Sequence, residues 1–139
     1  MTYGELEALL QAIAATVQRG TGHFHVGDGT SLALAVQGKG YPVIHVDPIA
    51  GKRSFERATK DARITIGFFE QGGPDLSAAQ LQAIYSRQEA VSARFLFMLE
   101  EDGEIGNVSV SDSLVKNYTA ELLTGIAVEF TLALPLSCS

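Results

Sequence analysis

The chain predicts a small α+β fold on a mainly antiparallel sheet, and three observations predict it. Residues 124–135 alternate over their whole length, with Ile126, Val128, Phe130, Leu132 and Leu134 on one face and Ala127, Glu129, Thr131 and Ala133 on the other. That period of two marks a half-buried strand. A second alternating run places Ile64, Ile66 and Phe68 on one face. Two further segments carry apolar stripes with the 3.6-residue period of amphipathic helices. About five to six strands, a meander plus C-terminal strands, are expected, with both helices packed on one face.

The first helix covers about residues 3–18. Thr2 and Glu5 fit a capping box, and Leu6, Leu9, Leu10, Ile13 and Val17 follow as the stripe. Gly20 and Gly22 end it. Residues 23–26, 31–37 and 41–47 are short apolar runs bounded by Gly27-Asp28-Gly29 and Gly38-Lys39-Gly40. Glycine-punctuated runs of this kind predict a hairpin meander of three strands. Pro42 restricts its strand to a start or an edge.

Between residues 48 and 61 the periodicity lapses. The segment is a loop or an extended hairpin arm, or else carries a short helix around 54–59; so long a stretch without regular structure usually binds something. The strand at 62–70 follows. Pro74 and Asp75 then punctuate the chain ahead of a second capping box, Ser77 with Gln80. The long helix it opens carries Leu81, Ile84, Val91, Phe95 and Leu99. Those side chains should form the core with Ile64, Ile66, Phe68, Val128, Phe130 and Leu132, because a helix stripe and a strand face of similar length must bury each other. Final strands are expected at 106–111 and 124–135, joined by a turn of helix or a bulged connection.

Length and composition narrow the function classes. A chain of 139 residues fits one domain spanning 1–139. It can bury roughly two-thirds of its unfolded surface, enough for a core without disulfides or metal. Apolar residues make up 46% and mean hydropathy is +0.15, which excludes wholesale disorder. The net charge of −6 argues against a dedicated nucleic-acid binder. Cys138 is the only cysteine, so no internal disulfide can form and a reducing compartment is expected. No apolar run approaches the ~20 residues of a membrane span. Glu5 and Glu7 stand where an export signal would carry lysines, so synthesis and folding in the cytosol are expected.

Candidate chemistry is sparse. His23, His25 and His45, with Asp28 or Asp47, offer the donor types of a zinc site, yet no HExxH or CxxC spacing supports one. Neither Gly20-x-Gly22 nor Gly27-x-Gly29 has the strand–loop–helix context of a phosphate loop. No G-x-S-x-G elbow places a nucleophilic serine. Catalytic residues, cofactor and metal are therefore expected to be absent. The one basic concentration is Lys52, Arg53, Arg57, Lys60 and Arg63, half of the ten lysines and arginines. With Ile49 and Phe55 as apolar anchors, it makes a candidate interaction patch. Its natural complement is the acidic run Glu100, Glu101, Asp102 and Glu104 on another copy, a heterologous contact that closes into rings.

Three stretches carry a family resemblance. They are the N-terminal helix with Leu6, Leu9, Leu10 and Ile13; the strand from Ile64 to Glu70 leading into the long helix; and the ending from Asn117 to Pro135. Together with the order helix, meander, loop, strand, long helix, two strands, they resemble the tail-terminator and tail-completion (head–tail joining) proteins of long-tailed bacteriophages. The resemblance implies a virion structural protein with no catalysis. It implies a homo-oligomeric ring, a homohexamer in that family, which caps the tail tube and receives the neck connector. DNA would pass the lumen without specific binding, no membrane would be involved, and assembly would take place in the host cytoplasm. Other readings are a stopper or tube-associated protein, a cytosolic small-molecule-binding or enzymatic domain using His23, His25, His45 and Asp47, or a regulatory or toxin–antitoxin partner.

Overall fold

A computed structural model describes residues 1–102, 109–119 and 121–135. Its spine is the pairing of β4 (Thr59–Gln71) with β6 (Leu123–Pro135), an antiparallel ladder running from Thr59 opposite Pro135 to Gln71 opposite Leu123. Every second residue of both strands is apolar and buried, from Ala62 to Phe68 and from Ile126 to Leu134. The ladder thus presents one continuous apolar face, here the inner face.

Two helices cover that face. α1 (Tyr3–Gln18) starts at the capping box, where the Thr2 hydroxyl accepts the Glu5 N–H at 3.1 Å. It buries Leu6, Leu10, Ile13, Ala14 and Val17. α3 (Ala78–Glu100) starts at the second box, with the Gln80 N–H donating to Ser77 Oγ at 3.1 Å. It buries Ile84, Gln88, Ser92, Phe95 and Leu99, while Leu81 and Val91 are half-buried. The Phe95 ring meets Phe68 edge-on at 5.5 Å, a favoured aromatic geometry.

The expected three-strand meander is overturned at its middle member. Residues 31–37 are not a strand: they lie within α2 (Gly29–Lys39), between β1 (His23–Val26) and β2 (Val43–Val46). β1 and β2 pair in parallel, as a helical crossover requires. Asp28 nucleates the helix, its carboxylate accepting the Ser31 N–H at 2.9 Å. Leu32 and Val36, one turn apart, pack on Val43, Phe69 and Leu123, while Leu34 is left 66% exposed. Leu32, Leu34 and Val36 alternate like a strand, but only the i, i+4 pair is buried. Because Val43, Phe69 and Leu123 point away from the inner face, α2 lies on the sheet's outer face.

The segment 48–61 is a hairpin. β3 (Ala50–Ser54) pairs with the first residues of β4, from Ala50 opposite Arg63 to Ser54 opposite Thr59. The turn 55–58 closes with Ala58 in the left-handed region (φ 53°). β2 and β3 flank the same edge of β4, and residues 47–49 face only Ile64 and Thr65. Such a bulge suits Pro48, which has no N–H to donate. It turns Ile49 against the main core.

β5 (Ser111–Tyr118) pairs with β6 and ends the sheet, giving the order β1-β2-β4-β6-β5. It covers much of the stretch expected to connect the last strands, and its register slips between Val115 and Tyr118 as a bulge. The start of the strand expected at 106–111 lies outside the described residues. Asn117 secures the bulge: its N–H donates to the Thr124 hydroxyl at 2.9 Å, and its amide exchanges two 2.9 Å hydrogen bonds with the Gly73 backbone.

Truncating Phe95 to alanine should cost about 3–5 kcal/mol, the range for a buried phenylalanine. Leu81→Ala, at the half-buried end of the stripe, should cost distinctly less. Urea unfolding of both variants checks the order, and equal losses would contradict the packing described.

Candidate functional site

The hairpin's residues divide into two groups. Lys52 and Arg53 are exposed on β3, whose outer edge pairs with no described strand; Phe55 and Arg57 are exposed on the turn. Phe55 is 80% exposed. Two expected members of the patch are withdrawn from it. Lys60 is buried, its Nζ 4.2 Å above the Tyr3 ring centroid, a cation–π contact that satisfies the charge within the fold. Ile49 packs into the core through the bulge and is no free anchor. Glu100, Glu101 and Asp102 end α3 in the helical layer, and Glu104 lies outside the described residues.

The outer face holds a cleft of about 300 Å³ between α2 and β5. Its apolar lining comes from Leu32, Phe69, Val115, Tyr118, Leu123 and Ala127. The concavity has a simple origin in sequence. Opposite residues Gly67 and Ala127 bear almost no side chain, and the Phe69 ring folds over Gly67, where a Cβ would strike it. Sequence reading misses this cleft because its walls come from five elements. Its one local signal is the doublet Phe68-Phe69, which requires apolar cover on both faces of β4.

His45 and Asp47 form one rim of the cleft. Parallel pairing sets His25 beside His45, with the rings stacked at 5.2 Å and their Nδ1 atoms 3.0 Å apart. His45 Nε2 lies 2.9 Å from the Asp47 carboxylate. A carboxylate only accepts, so His45 carries its proton on Nε2 and its Nδ1 accepts from His25 Nδ1–H. In that tautomer His25 Nε2 is an acceptor, at the end of a hydrogen-bonded row that runs through His45 to Asp47. Burial lowers the His25 pKa, the neighbouring His45 lowers it further, and Asp28 partly opposes both. His23 is lowered by burial, then by Lys39 and His25, and both its ring nitrogens are shielded with no hydrogen-bond partner among the described residues. No group of three His, Cys, Asp or Glu side chains among the described residues could hold a metal ion.

A larger, open hollow of about 670 Å³ lies between α3 and Tyr41-Pro42. Two of its charged groups satisfy each other: Arg87 donates to both Glu70 oxygens at 2.9 and 3.0 Å, and Gln88 donates to Glu70 at 2.6 Å. Burial alone would raise the Glu70 pKa, but these hydrogen bonds outweigh it and the net shift is downward.

Neither known protein families nor curated proteins give a match to the chain.

The shifts give a sign for the response to acid. His23 and His25 are harder to protonate in the folded protein than unfolded, and so is Glu70, so each takes up protons on unfolding. Stability is full above the unfolded values and falls as pH drops, first below 6.5 for the histidines and then below 4.5 for Glu70. Melting temperature against pH should show both steps. His25→Gln should shrink the upper step and Glu70→Gln the lower, and a melting temperature that rises on acidification would contradict the assignment.

Proposed function

We propose that the protein is a virion structural subunit, a tail terminator or completion protein of a long-tailed phage that assembles into a ring at the head–tail interface. The observation that carries the reading is the pair of unlike surfaces that the described residues leave open on one subunit. One is the hairpin tip with Phe55; the other is the outer-face cleft beside edge strand β5, where Tyr118 is 63% exposed. Unlike surfaces make heterologous contacts, which close into rings when the rotation allows. The element order also supports it: an N-terminal helix, a central hairpin, a long helix and a final strand pair, with α2 in place of the middle strand expected of a meander. The net charge of −6 suits a lumen past which DNA slides without sticking.

A second reading, a domain that binds or converts a small molecule, draws on the hydrogen-bonded His25–His45–Asp47 relay at the cleft rim. Metal analysis and assembly state separate the two. Under the first reading, protein purified without added metal carries no stoichiometric zinc. Sedimentation velocity at rising concentration shows a discrete oligomer, and negative-stain images show rings that dock on the ends of purified tail tubes. A protein that stays monomeric and leaves tubes uncapped, with zinc that is lost on His25→Ala, would replace the first reading with the second.

A further inference from the structure

We infer that the Phe55 tip of one copy seats in the outer-face cleft of the next. The inference rests on the ring reading and names the contact that would close it.

The tip is a preorganised knob. β4 is paired to its first residue on both sides, Thr59 with Ser54 and with Pro135, so the turn projects from a three-stranded ribbon. Little conformational freedom remains to be lost when it docks. At its end Phe55 holds a bare aromatic ring in water, and such a ring can bury roughly 150–250 Å² in a fitting site. The cleft is that kind of site. Its volume of about 300 Å³ admits a phenyl ring, and its walls are Leu32, Phe69, Val115, Tyr118, Leu123 and Ala127.

A subunit's own tip cannot reach its cleft. Thr59, at the tip, and Gly67, on the cleft floor, are separated along β4 by roughly 27 Å at strand spacing. A tip seated in the cleft therefore belongs to a second copy.

Charge selects the same pairing. Asp47, which lines the cleft and whose N–H bonds to the Thr65 carbonyl, and Glu129, directly opposite Thr65 on β6, put two carboxylates in one row at the cleft's tip-facing end, with the single cation Arg63 one row beyond on the same face. The tip carries Lys52, Arg53 and Arg57 against the single acid Glu56, all exposed, in a chain whose net charge is −6. A basic knob and an acid-rimmed apolar socket attract each other and reject the reverse orientation. Knob and socket differ, so the contact propagates head to tail instead of pairing two copies symmetrically.

The test uses the full chain with Cys138→Ser. Glu56→Cys, beside the knob, and Ala127→Cys, in the socket, are prepared as separate proteins. Oxidation of the mixture should yield a cross-linked dimer that neither protein gives alone, and the double variant should give a ladder of multimers. Phe55→Ala, at a side chain that is 80% exposed, should keep the wild-type melting curve of the dissociated chain yet raise the half-assembly concentration at least about tenfold. Arg57→Glu should weaken assembly, and adding Glu129→Arg should recover part of the loss. If wild type assembles while Phe55→Ala assembles equally well and the mixture does not cross-link, the knob-and-socket contact is wrong and the ring reading stands. If wild type forms no oligomer at any concentration, both fall.

Discussion

The β4–β6 ladder is the constraint on which the rest depends. Its register, from Thr59 opposite Pro135 to Gln71 opposite Leu123, decides which residues meet on each face. On the inner face it lines up Ile64 with Phe130 and Ile66 with Val128 beneath α1 and α3. On the outer face the same register sets Gly67 opposite Ala127, and the cleft follows. A slip of one residue would send the core apolar set to the other face and erase the socket together with the core. Scaffold and candidate site are therefore consequences of a single pairing.

Much of this was legible in the sequence, for physical reasons that differ by element. α1 and α3 announce themselves because cap chemistry and stripe agree: Thr2 with Glu5 and Ser77 with Gln80 satisfy orphan amides just where the apolar period begins. β4 and β6 are legible because an antiparallel strand with one dry face must alternate. α2 was not, since Leu32-Ala-Leu-Ala-Val36 satisfies both periods and the glycines around Asp28 look like a turn. Only the parallel pairing of β1 with β2 decides between them. β3 hid for the opposite reason: Ala50-Gly-Lys-Arg-Ser54 is an exposed edge with no apolar face, specified by its partner and not by itself.

The candidate site divides in the same way. Its charges and Phe55 could be read as a patch, because an unstructured basic run is conspicuous in an acidic chain. The withdrawal of Lys60 onto Tyr3, and of Ile49 through the Pro48 bulge, depends on Tyr3, at the start of α1, reaching the hairpin and on one extra residue in register. Neither leaves a local trace. The cleft is the least legible part, since it consists of missing side chains brought together from distant segments. The relay from His25 through His45 to Asp47 likewise exists only because β1 and β2 run parallel, and it ties one of the socket's rim carboxylates to the interior.

The central claim is that two unlike surfaces of one rigid subunit are covered together on association. Hydrogen–deuterium exchange at low and high protein concentration measures this directly. The account predicts slower exchange at residues 55–58 and, over the same concentration range, at the cleft amides of β5 and the Leu123 end of β6. Amides in the middle of the β4–β6 ladder should stay slow throughout. Protection confined to one of the two surfaces, or found on the exposed side of α3 instead, would contradict it.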